Sequence, residues 1–383
     1  MTETSTNGLK TPSAAPKANS SKQVFIAATR QNDGKTMVSL GLFKAFQQKF
    51  KQVGYMKPVG QQYQLVNGEM IDKDALLFHK VYELADALKV TNPITVSRGF
   101  TQQYIEGGSG EALQDQLMQA YNQLVLKNDF LLIEGTGHAG VGSVFDMSNA
   151  QTANLLNAKV ILVSLGGVGR CIDEIMLNKA VFDGMGVELA GVIINKIRED
   201  KYEKVNRLVR DGLARQGITV FGCIPFTDML IKPIVRSIFE DLEGQIISDG
   251  DYGLNNRVNK CIIGDMIPHD ALDHFVPGTM LIVPANREGL IMSVLCGNLL
   301  DTEVVFFVNA IIFTGDRVPH EKVLKLIKQT HIPMMVVKED SFSIATQINN
   351  MIIKVKSQEV DKIEKTQELV EEYVDIDMIC NIL

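Results

Sequence analysis

The feature that most constrains this chain is a repeated alternation of short apolar runs with amphipathic stretches. Gln23–Thr29 (QVFIAAT) opens the series. Gln52–Val59, Phe130–Glu134, Lys159–Leu165, Leu189–Asn195 and Thr219–Ile224 continue it. Between and after them stand stretches with helical spacing: Gly34–Phe50, Asp74–Leu88, Glu111–Leu126, Cys171–Phe182 and Lys201–Gln216. Near-continuous apolar strands are those buried on both faces. Strands that alternate with helices join by right-handed crossovers into a parallel sheet. The expectation is an α/β fold, with a parallel-sheet domain at residues 22–244.

Gln245–Asn256 (QIISDGDYGLNN) is turn-rich and reads as a boundary. A second, shorter alternation follows: strands at Thr279–Val283, Val304–Phe313 and Met334–Val337, and helices at Arg287–Asn298, His320–Thr330 and Ile344–Val355. It predicts a smaller α/β domain over 245–365, then an acidic tail over 366–383. Residues 2–21 contain one large apolar residue, Leu9, so 1–21 read as a disordered tail.

Composition removes several classes of function. A net charge of −7, no Trp and 7% aromatic residues argue against a nucleic-acid partner. No apolar run reaches the length of about 18 residues expected of a membrane span, so no membrane partner is expected. Five scattered cysteines without a Cys-x-x-Cys pair read as reduced thiols of a cytoplasmic protein. Six histidines without a His-x-x-x-His pair give no zinc motif.

The densest chemistry is the loop Ala28-Thr29-Arg30-Gln31-Asn32-Asp33-Gly34-Lys35-Thr36. It leaves a strand and opens a helix, the setting a phosphate-binding P-loop requires. Thr29, Asn32, Asp33, Gly34, Lys35, Thr36 and Met37 are its candidate ligand-binding positions. A glycine lets the backbone approach phosphate oxygens. The helix start supplies N–H donors and a favourable dipole. Lys35 brings a cation, and the Thr36 hydroxyl suits Mg²⁺. Thr29 stands where the usual first glycine would be, and Ala28 one step earlier makes the loop longer by one residue.

Other strand ends carry complementary groups. Glu134 closes an apolar strand and precedes Gly135-Thr136-Gly137-His138-Ala139-Gly140, with Gly135 a candidate for close ligand approach. Asp74 starts a helix. Asp74 and Glu134 are the candidate Mg²⁺ carboxylates beside Thr36. Lys57, in Lys57-Pro58-Val59-Gly60-Gln61, is a second candidate cation for phosphate. Asn195 ends another strand, where it can face a nucleobase. Guanine recognition needs an acid two residues after Lys196, and Arg198 stands there, which favours adenine.

Taken in order, the lengthened loop ending Gly34-Lys35-Thr36, Lys57-Pro58-Val59, Asp74-Ala75, Glu134-Gly135-Thr136-Gly137 and Asn195 resemble the dethiobiotin synthetase-like branch of P-loop proteins. That branch includes cobyrinic acid a,c-diamide synthase and the N-terminal domain of long phosphate acetyltransferases. The resemblance spans Ser21–Asp241. It implies ATP and Mg²⁺ as cofactors, phosphate contact by Lys35 and Lys57 as the catalytic cations, Mg²⁺ contact by Thr36, Asp74 and Glu134, adenine contact by Asn195, and a homodimer.

The second domain resembles the DRTGG domain that follows the ATPase-like domain of long phosphate acetyltransferases. Arg287 and Gly289 match its signature position, and Pro277-Gly278, Phe313-Thr314-Gly315 and Ile332-Pro333 match later landmarks. A regulatory protein or a small anionic metabolite is the partner this domain implies. No acetyl-transferring domain follows before Leu383, so acetyl transfer is not expected. Gln61 and Gln62 stand where dethiobiotin synthetase has small hydroxyl residues, which argues against biotin synthesis. No cysteine lies on a nucleophile elbow of the kind a glutamine-hydrolysing cobyrinate enzyme uses. The expected function is a nucleotide sensor or regulator, with an ATP-dependent ligase as the alternative.

Overall fold

The computed structural model describes residues 22–299, 308–351 and 353–383. The tail expected at 1–21 lies outside them, as do residues 304–307 of the strand expected at Val304–Phe313. The chain divides into two compact units, residues 22–226 with 364–383, and residues 227–363.

The first unit is built on six strands: β1 (Lys22–Ala28), β2 (Val53–Met56), β3 (Phe130–Glu134), β4 (Val160–Leu165), β5 (Leu189–Ile197) and β6 (Val220–Pro225). All pairs are parallel, in the order β6-β5-β4-β1-β3-β2. Val24–Ala28 and Phe130–Glu134 are buried throughout, as continuous apolar strands require. The connecting helices include α1 (Lys35–Lys49), α2 (Lys73–Tyr82), α3 (Gly110–Val125), α4 (Gly169–Gly184) and α5 (Tyr202–Ala214). From β1 the chain runs first to one edge of the sheet, and after β3 to the other side of β1. Such a reversal opens a crevice at the carboxyl ends of the strands, where ligands of open α/β sheets bind. The register places Ile26 beside Glu134 and Leu165 beside Asn195.

Two differences from the sequence expectation concern this unit. The helix expected over Asp74–Leu88 stops at Tyr82, where Glu83 turns into the left-handed region at φ 49°. Between β2 and α2 a hairpin, Tyr63–Val66 with Glu69–Asp72, gave no apolar run to read. Asp72 then caps α2 by accepting from the Asp74 N–H at 2.9 Å.

Residues 366–383, expected as a tail, are folded. They lie in the helices Val360–Tyr373 and Ile376–Ile382 and bury Leu369, Val370, Val374 and Ile379. Val370 packs on Gly41 of α1, so closely that a Cβ at Gly41 would strike it. Gln367 donates to the Tyr82 hydroxyl, which donates to the Leu40 carbonyl. Val374 bridges to Gly222 on edge strand β6, and Asp375 N–H donates to Phe221 O.

The second unit holds β7 (Gly244–Ile246), β8 (Lys260–Ile263), β9 (Thr279–Pro284), β10 (Val308–Thr314) and β11 (Met334–Val337), in the order β7-β11-β10-β9-β8. Strands β8 to β11 are parallel, and β7 joins β11 antiparallel. Helices α6 (Glu288–Leu299), α7 (Glu321–Gln329) and α8 (Ser341–Asn349) belong to this unit. Helix α8 ends six residues before the expected Val355, and starts earlier because Asp340 accepts from the Phe342 and Ser343 N–H groups. The unit begins at Thr227, not at the turn-rich 245, because Val235, Ile238, Phe239 and Leu242 pack with Met280 and Ile282 of β9.

Candidate functional site

The loop after β1 is held open by its own side chains. The Thr29 hydroxyl donates to Asp33 Oδ2 at 2.5 Å, and the Arg30 N–H donates to the same oxygen at 2.9 Å. Burial pushes the Asp33 carboxyl above its ordinary range, and the Thr29 and Arg30 contacts oppose that. Asn32 and Gly34 take positive φ of 67° and 94°. Among the described residues the backbone N–H groups of Gln31, Asn32, Asp33 and Gly34 have no hydrogen-bond partner. Among the described residues no side chain caps α1. A row of free donors running into a helix start is the arrangement that receives phosphate.

Opposite the loop lies a buried charge network. Lys35 Nζ is 2.6 Å from Glu134 Oε1, and the Thr36 hydroxyl donates to that oxygen at 2.9 Å. Lys57 Nζ reaches Glu134 Oε1 at 3.0 Å, Asp74 Oδ2 at 2.9 Å and the Gly135 carbonyl at 3.1 Å. Glu134 is 0% exposed and Lys57 2%. Burial alone raises a carboxyl, yet the two lysines beside Glu134 outweigh it and hold the carboxylate below its usual range. Burial brings the Lys35 ammonium down to about 8, against the pull of Glu134 and with the repulsion of Lys57. Burial would also lower Lys57, but Asp74 and Glu134 override it and raise it well above its ordinary value. Lys57 is therefore a fixed cation, whereas Lys35 is the more readily discharged of the two.

The structure thus brings together Lys35, Thr36, Lys57, Asp74 and Glu134. Gly135 follows directly, buried so tightly that a Cβ would strike Asn149 Oδ1. Met37 is half-buried in the first turn of α1. Thr36, Asp74 and Glu134 offer only oxygen donors. Among the described residues no group of three or more His, Cys, Asp or Glu could hold a metal ion. One or two carboxylates and a hydroxyl match what Mg²⁺ takes from a protein when phosphate and water fill its other positions.

The Asn195 side chain lies against the phosphate loop. Its Nδ2 donates to the Asp33 carbonyl at 2.9 Å, and its Oδ1 accepts from the Lys196 N–H at 2.9 Å. A Cβ at Gly34 would collide with this amide. Through Nδ2 Asn195 buttresses the phosphate loop, while its Oδ1 is taken by the neighbouring Lys196 N–H. Lys196 Nζ adds a bond to the Asn32 carbonyl at 2.8 Å.

Three further residues escaped the sequence reading. The Tyr55 hydroxyl donates to Glu134 Oε2 at 3.4 Å, while its ring stacks on Phe78 with centroids 3.7 Å apart. Asn149 donates to the carbonyls of Thr136 and His138 at 2.8 and 2.7 Å and accepts from the Thr136 N–H. Asn178 on α4 joins the loop after β3 to the phosphate loop. Tyr55 sits inside an apolar run, and single asparagines in helices carry no motif. Only the position of Tyr55, two residues before Lys57 and thus on the same face of the strand, gave any hint.

In the second unit, Arg287 stands just before α6. Its guanidinium donates to the Asp265 carbonyl and to the Met266 carbonyl at 3.0 Å. It braces the loop at Asp265–Met266.

Comparison with known proteins agrees with this architecture. Residues 22–233 match the AAA domain model and residues 237–351 the DRTGG domain model. The phosphate acetyltransferase of Pseudomonas putida is 24% identical over 362 residues, covering 92% of this chain and 50% of that protein. The Escherichia coli phosphate acetyltransferase is 22% identical over 385 residues, covering 94% of this chain and 52% of that protein. The chain therefore spans about half the length of the curated relatives it matches, corresponding to their N-terminal half. Among solved structures, the MinC:MinD cell division complex of Aquifex aeolicus aligns with a TM-score of 0.36 at 17% identity, over 55% of this chain and 84% of that one. With its P-loop sheet matched from β1 to beyond β6 and a DRTGG domain after it, the chain belongs to the AAA domain family.

Proposed function

We propose that this protein binds ATP with Mg²⁺ at the loop Thr29–Thr36 and acts as a nucleotide sensor or regulator through its DRTGG domain. The observation that carries the reading is the buried set Lys35, Lys57, Asp74 and Glu134 facing a loop of unpartnered N–H groups. Lys35 would turn from Glu134 to the terminal phosphates. Thr36, Glu134 and Asp74 would hold the metal ion, which when bound neutralises phosphate charge. Asn195 and Lys196 would keep the loop in its receiving shape. Titration calorimetry with ATP and Mg²⁺ tests this. Binding by the wild type and at least a tenfold loss in Lys35→Ala are expected for a charge-assisted contact. Equal behaviour of the two proteins would overturn it.

A second reading, an ATP-dependent ligase that activates a carboxylate or carbamate, draws on Lys57. A second buried ammonium beside Lys35 suits stabilisation of charge on a transferred phosphoryl group. ADP release stimulated by one member of a carboxylic-acid panel would favour the ligase, and binding without turnover the sensor. A homodimer and a cytoplasmic setting complete the proposal. Sedimentation at two protein concentrations tests the former.

A further inference from the structure

The glycine-rich loop after β3 has an unusual division of labour. Asn149, 5% exposed, takes up its carbonyls: Thr136 O at 2.8 Å, Gly137 O at 3.4 Å and His138 O at 2.7 Å. Its Oδ1 takes the Thr136 N–H. The N–H groups of Gly137 and His138 have no partner among the described residues. The loop therefore keeps the Gly137 and His138 donors free while the carbonyls of Thr136, Gly137 and His138 are taken.

One side chain ties these two donor loops together. Asn178 Oδ1 accepts the Ala139 N–H at 2.9 Å, and its Nδ2 donates to the Thr29 carbonyl at 3.3 Å and to the Glu174 carbonyl at 2.9 Å. The amide is 5% exposed and uses both ends. Glu174, one turn earlier on α4, forms an ion pair with Arg30 at 3.0 Å. A direct bond from the Ala28 N–H to the Gly137 carbonyl at 3.3 Å runs alongside.

We propose that Asn178 is a positioning residue that locks the loop Gly135–Ala139 to the phosphate loop, so that both receive the terminal phosphate of a nucleoside triphosphate as one donor surface. This rests on the proposed nucleotide site and adds that triphosphate is distinguished from diphosphate through α4. A buried amide with one backbone bond to each loop holds loop geometry that a phosphate one phosphoryl group further out would feel most.

The test uses the full chain with Asn178→Ala and Asn178→Asp. The aspartate keeps an acceptor for Ala139 but cannot donate to Thr29. Calorimetry with Mg²⁺–ATP and Mg²⁺–ADP should show ATP affinity falling about tenfold in both variants, as expected for loss of a buried hydrogen bond. ADP affinity should change much less. Amide hydrogen exchange without nucleotide gives a separate readout. Ala139 should lose protection in Asn178→Ala, and the segment 28–34 should exchange faster in both variants. An unchanged ATP-to-ADP ratio in variants that bind nucleotide would overturn the inference alone. If the wild type binds no nucleotide, the functional reading fails, and unchanged exchange in the two loops would then overturn the clamp itself.

Discussion

Lys57 and Glu134 meet at 3.0 Å with almost no access to solvent, one just past the end of β2 and the other closing β3. The same ammonium lies 2.9 Å from Asp74. Two buried carboxylates thus share one cation. In Lys57→Met Lys35 would remain as a cation beside Glu134, and the stability loss is expected to be about 3–5 kcal/mol, the usual cost of removing one partner from a buried ion pair. The loss should shrink as pH falls, because a carboxyl left without its cation can take up a proton. Urea denaturation at pH 7.5 and pH 5.5 measures both.

Proton uptake should accompany nucleotide binding near pH 8. Burial holds the Lys35 ammonium down to about 8 in the folded chain, below its ordinary 10.5. Above that folded value the native state has lost a proton that the unfolded chain keeps, so this group adds stability as pH rises from about 8 towards about 10.5. Phosphate oxygens would draw the proton back. Calorimetry at pH 8 in two buffers of different ionisation heat should show uptake in the wild type and none from this group in Lys35→Met.

Tyr55→Phe separates the ring from the hydroxyl. The stack on Phe78 survives, and only the donor to Glu134 Oε2 goes. Stability should fall by no more than about 1 kcal/mol. If Glu134 holds Mg²⁺ as proposed, the Mg²⁺ concentration for half-maximal nucleotide binding should rise a few-fold, because one constraint on that carboxylate is lost. A magnesium titration monitored by fluorescent nucleotide measures it.

Gly41→Ala is expected to destabilise the first unit. Alanine gains about 1 kcal/mol of helix propensity. Its Cβ would meet the Val370 side chain and approach the Thr366 carbonyl. Overpacking of this kind costs about 1–3 kcal/mol. A drop in melting temperature is expected, and Gly41→Ala combined with Val370→Ala should recover part of it.

The site was legible in the sequence where its chemistry is concentrated in charged residues at strand ends. Lys57 and Glu134 close apolar runs, Lys35 and Thr36 follow the loop that leaves one, and Asp74 opens a helix, so their order along the chain, which carries the resemblance, brings them together. Asn195 was found at the right strand end, but whether its amide faces a base or the loop depends on Gly34 lying against it. Asn149 and Asn178 were illegible because their partners are backbone groups, which no sequence pattern reports. In the fold, β1 and β3 to β6 were legible as unbroken apolar runs. Strand β7, exposed along its whole length, and β8 offered no such run. The helices after residue 360 read as a charged tail, because their buried face is a narrow stripe within an acidic segment.

The return of residues 364–383 to the P-loop sheet has a consequence for how this protein can be taken apart. The family match to the nucleotide unit stops at residue 233, yet the unit's fold is completed by a segment that follows the entire DRTGG domain. The P-loop module is not contiguous in the chain. A fragment cut at the family boundary would expose the groove over Gly41, the Tyr82 hydroxyl and the edge of β6. The DRTGG unit is an insertion in the topological sense: the chain leaves the P-loop unit at residue 226 and re-enters it at residue 364.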